Sequence, residues 1–454
     1  MNIAQAERTA AELARLLQDD AFAAFAARAG DLHPYDAAVA YLSIAPEQSE
    51  LRTAFLTHLD PITLTDVLEE LDGEERREAF ARIGALRAAA VMDRMDNDDL
   101  ADFLGELSEE ARAPYLAAMS DAEAEAVQQL MSYPPETAGR IMNNRYVWLP
   151  QHYTVEEAIA KIRAYSDLSE SISYLYVIDG ERRLLGVVSY RDLILASVEQ
   201  RIADIMRTRV IHVEAVMDQE QVADLMRNYD FLAVPVVDDA SRLVGIITVD
   251  DIIDVVMEEA DEDIQKLSGS GKDIDFNTRA WTAAGRRLPW LVLLLFIGVL
   301  SGTIISGFEE TLDRVVALAF FMPMIAGMTG NTGTQSLAVV VRGLIGSKLS
   351  GRQALRLVRR ELGVGLIIGV TCGLLVTGIA YVWQGNIMLG VVVGVSLLLT
   401  LILGTIAGTT VPLLLDKLRV DPAVASGPLI TTLNDMLSLL IYFGMASLFL
   451  DFLL

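Results

Sequence analysis

The stretch PLITTLNDMLSLLIYF, residues 428–443, decides how the C-terminal part of this 454-residue chain must fold. Its apolar side chains suit a helix that crosses a bilayer, but Asn434 and Asp435 stand in the middle of it. An ionised carboxylate at the centre of a bilayer costs roughly 2.5 to 3.5 kcal/mol even on lenient insertion scales. We therefore expect Asp435 to face a water-filled cavity or the interior of a helix bundle, where it serves a function.

Further apolar segments accompany this stretch. Five follow Arg287, at about residues 288–308, 315–343, 362–383, 388–415 and 424–450. Each is long enough to cross a hydrocarbon core of roughly 30 Å as a helix. The sequence therefore predicts an all-α transmembrane domain of five spans over residues 286–454, embedded in a lipid bilayer.

The charges of the connecting loops predict the orientation of these spans. The loops before span 1, between spans 2 and 3, and between spans 4 and 5 are basic; their Lys and Arg residues are Arg286, Arg287, Arg342, Lys348, Arg352, Arg356, Arg359, Arg360, Lys417 and Arg419. The other two loops contain GFEETLDR and WQGN, which are acidic and uncharged. Basic loops stay in the cytosol, so we expect a protein of the cytoplasmic membrane with its N-terminus in the cytosol and its C-terminus outside.

Acidic residues are concentrated before the spans. Residues 281–454 hold eight of the 62 acidic and eleven of the 36 basic side chains, which leaves 54 acidic and 25 basic ones, a net charge of about −29, on residues 1–280. Such a surface repels nucleic acid and attracts cations. The only cysteine, Cys372, permits no disulfide framework, and the N-terminus has no signal-peptide pattern.

Residues 1–130 are expected to form an acidic, superhelical array of helices. The segments LDPITLTDVLEEL, DGEERREAFARI, DNDDLADFLGEL, SEEARAPYLAAM and SDAEAEAVQQLM each place Ser, Asp or Asn before an acidic first turn and an apolar stripe. That pattern is typical of capped amphipathic helices. Taken alone, it predicts a scaffold.

An internal repeat fills residues 143–262. YLYVIDGERRLLGVVSYRDLI (174–194) and LAVPVVDDASRLVGIITVDDII (232–253) share one order of strand, turn, strand and helix, and Gly186 and Gly245 lie 59 residues apart. With the strand and helix that precede each segment, the predicted order is β-α-β-β-α. This resembles a tandem pair of cystathionine β-synthase-type (CBS) domains, at residues 131–202 and 203–262.

The resemblance to CBS pairs implies a possible nucleotide site. Ser189 with Asp192, and Thr248 with Asp251, match the residues that can hold a ribose at the last strand-to-helix junction. Either pair can equally cap the helix that follows, without any ligand. The sequence leaves both interpretations open, with ATP or another adenine nucleotide as the candidate ligand.

Two acidic surfaces suggest divalent cations. In VDDIIDVVMEEADED (249–263) the helical spacing puts Asp251, Asp254, Glu258 and Glu262 on one face, where two charges about 6 Å apart repel by roughly 0.7 kcal/mol in water. A second acidic patch covers residues 97–110. A solvated acidic helix is the simpler explanation, but Mg²⁺ or Ca²⁺ between the two surfaces would relieve the repulsion.

Other chemistries find little support in the sequence. The four histidines are isolated, and neither a Cys/His metal-ligand spacing, nor a phosphate-binding loop, nor a nucleophile with a base stands out. We therefore do not expect an enzyme.

Span 2 is an unusual membrane segment. AFFMPMIAGMTGNTGTQSLAVVVRGL (319–344) contains Pro323 and, around Asn331, the glycines Gly327, Gly330 and Gly333. These residues predict irregular backbone that lines a cavity, with helix packing through polar side chains as the alternative.

The order of these parts, together with PMIAGMTGNTGTQS in span 2 and DPAVASGPLITTLNDMLSLLIYF in span 5, closely resembles the MgtE family of magnesium channels. The resemblance implies a homodimer that carries Mg²⁺ into the cell through a pore on its two-fold axis, lined mainly by spans 2 and 5. Asp435 matches the pore aspartate and Asn331 a pore-lining asparagine; Gly330 and Asn434 are the adjacent candidates.

The resemblance also implies closure by cytosolic Mg²⁺, which would bridge the helical domain, the CBS pair and a linker helix at 263–285. The matching carboxylates are Asp98, Asp102, Asp218, Glu220, Asp230, Asp251, Asp254, Glu259, Glu262, Asp263 and Asp421. Asp251 is then shared by the magnesium and nucleotide interpretations.

Two residues depart from the family pattern, Thr329 and Ser438 at positions where glycine is common. The alternatives are a cation-coupled secondary transporter in which Asp435 carries a proton, and a membrane-tethered nucleotide sensor without flux.

Overall fold

The computed structural model describes residues 3–71, 73–165, 174–269, 274, 278–344, 349–418, 420–422 and 427–454, with side chains from residue 8 onward. The chain divides into two compact units, Met1–Val256 and Met257–Leu454. The helical and α/β domains lie in the first unit, and the apolar helices lie in the second.

The first unit begins with ten short helices. They are α1 (Ile3–Gln18), α2 (Phe22–Gly30), α3 (Pro34–Leu42), α4 (Ser49–His58), α5 (Pro61–Glu69), α6 (Gly73–Ile83), α7 (Ala85–Met92), α8 (Asn97–Glu106), α9 (Glu109–Ala118) and α10 (Asp121–Met131). Most pack against the helix two places along the chain, as in α1 on α3, α3 on α5 and α5 on α7. This alternation confirms the predicted superhelical array.

Side-chain caps fix several of these helix starts. The Asp60 carboxylate accepts hydrogen bonds from the backbone N–H groups of Ile62 and Thr63, and Ser108 and Ser120 cap α9 and α10 in the same way. Asp96 stands at the start of α8 but makes no capping hydrogen bond through its side chain. The predicted cap of α6 includes Asp72, which lies outside the described residues.

The repeat forms two three-stranded sheets with helices between and after their strands. The elements are α11 (Ala138–Ile141), β1 (Trp148–Pro150), α12 (Val155–Ala164), β2 (Tyr174–Ile178), β3 (Leu184–Ser189), α13 (Tyr190–Leu195), α14 (Ile202–Ile205), β4 (Val213–Glu214), α15 (Gln219–Tyr229), β5 (Ala233–Val237), β6 (Leu243–Thr248) and α16 (Val249–Ser268). In each sheet the first strand pairs in parallel with the second, and the second pairs antiparallel with the third.

The repeat extends to fine backbone detail. Gly186 pairs with Val177 in the first sheet and Gly245 with Val236 in the second, and both sheets have a bulge directly after that pair. The preceding turns also match, because Arg182 and Ser241 both adopt a positive φ. The predicted β-α-β-β-α duplication is confirmed.

The two α/β domains have different cores. One apolar cluster runs from the helical domain into the second α/β domain, and includes Phe103, Leu130, Val222 and Ile247. The first α/β domain has a separate cluster around Leu149, Val177 and Val188. The second α/β domain is therefore packed as one body with the helical domain.

The helix α16 runs without a break across residues 262 and 263, where the boundary between the second CBS domain and a linker helix was predicted. Residues 263–268 continue the helix that begins at Val249, because neither glycine nor proline interrupts it before Gly269. Gly269 then adopts φ +64°, a conformation that ends helices. The rest of the predicted linker is only partly described, and residues 280–285 already belong to the next helix.

The second unit contains long apolar helices. Its elements after α16 are α17 (Ala280–Ser306), α18 (Glu309–Arg314), a 3-10 helix (Val316–Phe320), α19 (Met322–Leu344), α20 (Gly351–Gln384), α21 (Ile387–Lys417), α22 (Gly427–Leu448) and α23 (Leu450–Leu453). Within the described ranges, four helices are long and apolar enough to cross a membrane: α17, α20, α21 and α22. The segment predicted as span 2 forms α19, whose 23 residues would extend about 35 Å.

Glycines bring α20 and α21 close together. A Cβ atom at Gly373 would lie 2.7 Å from the Gly394 carbonyl oxygen, and one at Gly369 would lie 3.0 Å from that of Leu398. The close packing expected of the glycine-rich span 3 is confirmed. The helix also starts eleven residues before the predicted span, because Ser350 and Gln353 form a capping box there.

Candidate functional site

The carboxylate of Asp435 lies against a glycine of α19. A Cβ atom placed on Gly330 would be 3.6 Å from Asp435 Oδ1 and 2.8 Å from Thr431 Cγ2. Only a residue without a side chain leaves this contact open. Asp435 Oδ1 is buried and has no hydrogen-bond partner in the described part of the chain. Two of the predicted pore residues, Asp435 and Gly330, thus lie together beside an unsatisfied acceptor.

Asn434 occupies a different position from Asp435. It is fully buried, and neither atom of its amide group has a hydrogen-bond partner among the described residues. Its side chain lies against Gly333, where a Cβ atom would collide with the amide nitrogen. Asn331, by contrast, is exposed within the single chain. The predicted pore asparagines therefore have opposite environments.

The two departures from the family pattern are both buried and hydrogen-bonded inside their own helices. The Thr329 hydroxyl donates to the Ile325 carbonyl oxygen at 2.8 Å, and the Ser438 hydroxyl donates to the Asp435 carbonyl oxygen at 2.9 Å. Thr329 also contacts α21, because a Cβ atom on Gly404 would lie 2.9 Å from the Thr329 carbonyl oxygen. The proton of each hydroxyl is therefore used inside its own helix, and only the oxygen lone pairs remain for a ligand.

The prediction of irregular backbone in span 2 is wrong. From Met322 to Leu344 the chain is a continuous α-helix. Pro323 lies in its first turn, where its missing N–H group breaks no helical hydrogen bond. Gly330 and Gly333 allow α22 to approach closely, and Gly333 also contacts Gly408 of α21. These glycines thus serve helix packing in an unbroken helix.

In the first unit, a second candidate site joins the helical domain to the second α/β domain. Asp98, in the first turn of α8, is buried, and its Oδ1 atom has no hydrogen-bond partner in the described residues. Asp251, in the first turn of α16, is close enough to interact electrostatically with it. The structure therefore brings together one carboxylate from each of the two predicted acidic surfaces.

Both carboxylates are hard to ionise in this environment. Burial, and then the nearby Asp251 carboxylate, raise the pKa of Asp98 well above its usual range. Burial raises the pKa of Asp251 to about 7, although hydrogen bonds from Thr248 act in the opposite direction. A cation between the two groups would favour their charged forms.

The two carboxylates are of the ligand type that a hydrated divalent cation uses. Within the described ranges, no group of three His, Cys, Asp or Glu side chains is arranged to hold a metal ion. An ion at Asp98 and Asp251 would therefore complete its coordination shell with water. Mg²⁺ commonly retains several waters when it binds to proteins through one or two carboxylates.

The other predicted regulatory carboxylates of the first unit have varied surroundings. Asp102 pairs with Arg140 at 3.3 Å, and Asp218 caps α15 by accepting hydrogen bonds from the Glu220 and Gln221 N–H groups. Asp230 adopts a left-handed conformation at the end of that helix. Glu220, Asp230 and Asp254 are exposed. None of these residues has the buried, unpartnered oxygen that distinguishes Asp98.

A lysine lies among the predicted regulatory carboxylates of the second unit. Lys266 Nζ is 2.6 Å from Asp421 Oδ2 and 3.2 Å from Glu262 Oε1. Burial acts to lower the pKa of Lys266, but the hydrogen bonds to Asp421 and Glu262 outweigh it and raise that pKa. Burial, and then Asp421, raise the pKa of the neighbouring Asp263. The ammonium group thus occupies the position of a bridging cation between Glu262 and Asp421, while Glu259 lies farther back on α16.

Both candidate nucleotide motifs form helix caps. Ser189 Oγ accepts from the Asp192 N–H at 3.1 Å and donates to Asp192 Oδ2 at 2.7 Å. The Thr248 N–H and hydroxyl both donate to Asp251 Oδ2. The capping role is therefore present, and binding of a nucleotide would have to coexist with it or replace it.

Sequence reasoning missed Glu361. This residue of α20 is buried, accepts a hydrogen bond from Ser336 Oγ of α19 at 3.0 Å, and pairs with Arg360 at 2.8 Å. The available signal was its position, directly at the start of an apolar run. Lys266 was also identifiable, as the first basic residue after the acidic run of α16.

Three family models match this chain. Residues 322–445 match a model described as a divalent cation transporter, MgtE. Residues 32–136 match the MgtE intracellular N domain, and residues 138–199 and 202–258 match the CBS domain. The matched segments correspond to the helices α19–α22, the helical domain and the two α/β domains.

Curated relatives match over almost the whole chain. The magnesium transporter MgtE of Bacillus subtilis (strain 168) is 53% identical over 434 residues, which is 96% of each chain. That of Thermus thermophilus is 38% identical and covers 98% of this chain and 99% of its own. A solved structure of the soluble part of a magnesium transporter has 36% identity and a TM-score of 0.53, and covers 56% of this chain and 99% of its own. A solved structure of the cytosolic domain of the Mg²⁺ channel MgtE in complex with ATP has 34% identity and a TM-score of 0.52. It covers 54% of this chain and 99% of its own. This chain, with its CBS domains and membrane-spanning helices, therefore belongs to the MgtE family of magnesium transporters.

Proposed function

We propose that this protein is a homodimeric channel that carries Mg²⁺ into the cell across the cytoplasmic membrane, with its N-terminus in the cytosol and its C-terminus outside. The observation that carries the proposal is the contact between Asp435 and Gly330, beside which a buried carboxylate oxygen has no hydrogen-bond partner among the described residues. Agreement of three basic loops with the positive-inside rule supports the orientation.

The chemistry of Mg²⁺ explains why two copies of Asp435 are needed. Mg²⁺ gives up its waters reluctantly, so a pore suits it best when carboxylates hold the hydrated ion through those waters. Two Asp435 side chains across a two-fold axis supply two negative charges to one ion. Gly330 lets α22, and with it Asp435, approach α19 closely, and the exposed Asn331 adds an amide near the same path.

Conduction can be tested by patch recording of the reconstituted protein. Asp435→Asn keeps the shape of the side chain and removes both charges from the dimeric site, so we expect Mg²⁺ conductance to fall at least tenfold. Asp451→Asn is the matched control, since Asp451 is exposed on the short final helix. Full Mg²⁺ conductance in Asp435→Asn would refute the pore assignment.

We further propose that cytosolic Mg²⁺ closes the channel. The buried pair Asp98 and Asp251 supports this, because a cation that bridges it favours the packed arrangement of the first unit. A ligand shifts a conformational equilibrium only through such differential affinity. The remaining predicted ligands, from Asp102 to Asp421, would belong to further ions of the same closed state. Recording while cytosolic Mg²⁺ is stepped through the millimolar range tests this directly, and unchanged opening would contradict it.

A proton-coupled transporter is the second candidate. The unpartnered Asp435 oxygen favours it as well, since a buried carboxylate can carry a proton. Coupled transport would depend on a pH gradient across the vesicle membrane. We expect Mg²⁺ flux to follow the Mg²⁺ electrochemical gradient and to be unaffected when a protonophore removes the pH gradient.

An adenine nucleotide is the proposed ligand of the CBS pair. The support is the ATP complex of the related cytosolic domain, together with Ser189, Asp192, Thr248 and Asp251 at the matching junctions. Asp251 would then take part in both nucleotide and Mg²⁺ binding. Titration of the full-length protein with ATP, with and without Mg²⁺, would detect that competition or cooperation.

A further inference from the structure

The helix α20 carries a basic face at its start. Arg352, Arg356 and Arg359 are spaced by four and three residues, so they lie on one side of the helix. All three are exposed, and in the described part of the chain none of them makes a hydrogen bond or an ion pair. We call these three side chains the basic face. Arg360 is different, because it pairs with Glu361.

The basic face continues along the helix as an apolar stripe that is also exposed. Leu366, Val370 and Leu374 follow Arg359 at helical spacing and are 50%, 43% and 70% exposed. Glu361 and Gly365, on the other side of the helix, are buried. The arginines therefore stand at the end of the surface that α20 presents to the surroundings of the membrane domain.

This combination fits a ligand with an anionic head and an apolar body. A guanidinium group binds phosphate oxygens through paired hydrogen bonds, and three of them together can surround one phosphate group or two. Within α20, Glu361 is the acidic residue, and it is buried on the side of the helix opposite the basic face. The apolar stripe would contact acyl chains directly below the headgroup.

We propose that the basic face binds the phosphate headgroup of an anionic phospholipid in the leaflet that borders the cytosol. The proposal rests on the membrane orientation proposed above and on the membrane-spanning position of α20, and is independent of which ion the protein carries. The continuity between the arginines and the lipid-facing stripe favours a lipid over free phosphate in solution. It equally favours a lipid over an acidic protein segment, since a segment of charged residues would not cover the apolar side chains of Leu366 and Val370.

Native mass spectrometry of the full-length protein can measure this binding. The protein is incubated in detergent with phosphatidylglycerol or phosphatidylcholine, and the bound lipids are counted. Each basic residue near an anionic headgroup contributes roughly fivefold to affinity. We expect the variant Arg352→Gln/Arg356→Gln/Arg359→Gln to lose its preference for phosphatidylglycerol by at least tenfold, and high salt to weaken binding to the unaltered protein only.

A matched control keeps the charge change but moves it elsewhere. Arg77→Gln/Arg191→Gln/Arg209→Gln removes three exposed arginines from the first unit, and should leave the lipid preference unchanged. Should the triple variant fail to fold, the three single variants decide the question, each with an expected loss of about fivefold. Replacement of all three by Lys keeps the charge and should retain most of the preference.

Three results would overturn the proposal. Equal retention of phosphatidylglycerol by the triple Gln variant and the unaltered protein would exclude the basic face as the site. Inorganic phosphate at about 10 mM is added while the lipid concentration is of the same order. Displacement of the lipid under these conditions would assign the site to free phosphate. A change of oligomeric state in the triple variant without any change in lipid binding would assign the face to a protein contact.

Discussion

The substitution Asp98→Asn tests the regulatory proposal at its most specific point. It keeps the size of the buried side chain, but removes the charge that faces Asp251 between the helical domain and the second α/β domain. Without Mg²⁺, we expect this variant to hold the two domains together more tightly than the unaltered protein. With Mg²⁺, it should gain less from the ion, since one of the two carboxylates is missing.

The size of the effect follows from the repulsion between the two carboxylates. Burial is the main cause of the raised pKa of Asp251, so that shift does not measure the contribution of Asp98. Two like charges about 6 Å apart repel by about 2–3 kcal/mol at an effective dielectric constant of about 20. When both groups are ionised, removal of one charge should therefore lower local opening of the interface by roughly 30- to 100-fold.

The sign of the pH dependence is fixed by the same shifts. The folded state binds these protons more strongly than the unfolded chain, so the stabilising effect of protonation is lost as pH rises through the folded pKa. Opening of the interface in Mg²⁺-free solution should therefore increase between about pH 4 and pH 7 in the unaltered protein. In Asp98→Asn this increase should be smaller.

Hydrogen–deuterium exchange of the full-length protein measures this opening at the amides of Asn97–Glu106. Samples at about pH 5 and pH 7, in EDTA or in Mg²⁺, give the four conditions needed. The control is Asp239→Asn, which removes one charge from an exposed turn. If Asp98→Asn exchanged as fast as the unaltered protein in EDTA, or gained the same protection from Mg²⁺, the assignment of this pair as a cation site would be wrong.

Three further substitutions test other contacts. Lys266→Met removes the ammonium group between Glu262 and Asp421. It should raise the open probability of the channel in Mg²⁺-free recordings by about fivefold, as expected for loss of a partly exposed ion pair. Lys266→Arg keeps the charge and should not raise it. Gly333→Ala places a methyl group against Asn434, and should destabilise the membrane domain by about 1–3 kcal/mol in thermal unfolding. The control Gly327→Ala has open space around it and should have no such effect. Equal losses of stability in the two variants would contradict the packing argument. Glu361→Ala leaves the buried Ser336 hydroxyl without an acceptor and should lower the free energy of unfolding by about 1–3 kcal/mol. Glu361→Gln keeps an acceptor and should lower it less. A larger loss in Glu361→Gln than in Glu361→Ala would show that the charge of Glu361 dominates.

Sequence patterns predicted the elements whose local signals are strong. Hydropathy located α17, α20, α21 and α22, and the 59-residue spacing of Gly186 and Gly245 located both sheets. Asp435 and Gly330 were candidate pore residues through a family resemblance, which did not specify that they touch; the structure places them in contact. The predictions of helices and sheets rest on periodicity and composition, which are properties of short segments.

The failures concern features that depend on tertiary contacts. Gly330 and Gly333 suggested a loosened helix, because glycine weakens an isolated helix, but here they allow neighbouring helices to approach. The burial of Glu361 against Ser336, and the position of Lys266 beside Asp421, depend on residues that are 25 and 155 positions apart in the chain. No local pattern contains such distances.

The unequal cores of the two α/β domains have a consequence for unfolding. Since the second domain shares its apolar cluster with the helical domain, those two parts should lose their structure in a single cooperative transition. The first domain has a cluster around Leu149 of its own, but its Tyr176 and Ile178 also pack with Leu243 and Ile246 of the second domain, so it can open separately only by exposing that shared surface. The duplicated halves of one repeat thus differ in what holds them: one shares the core of the helical array, and the other has its own core and a smaller apolar contact with its twin.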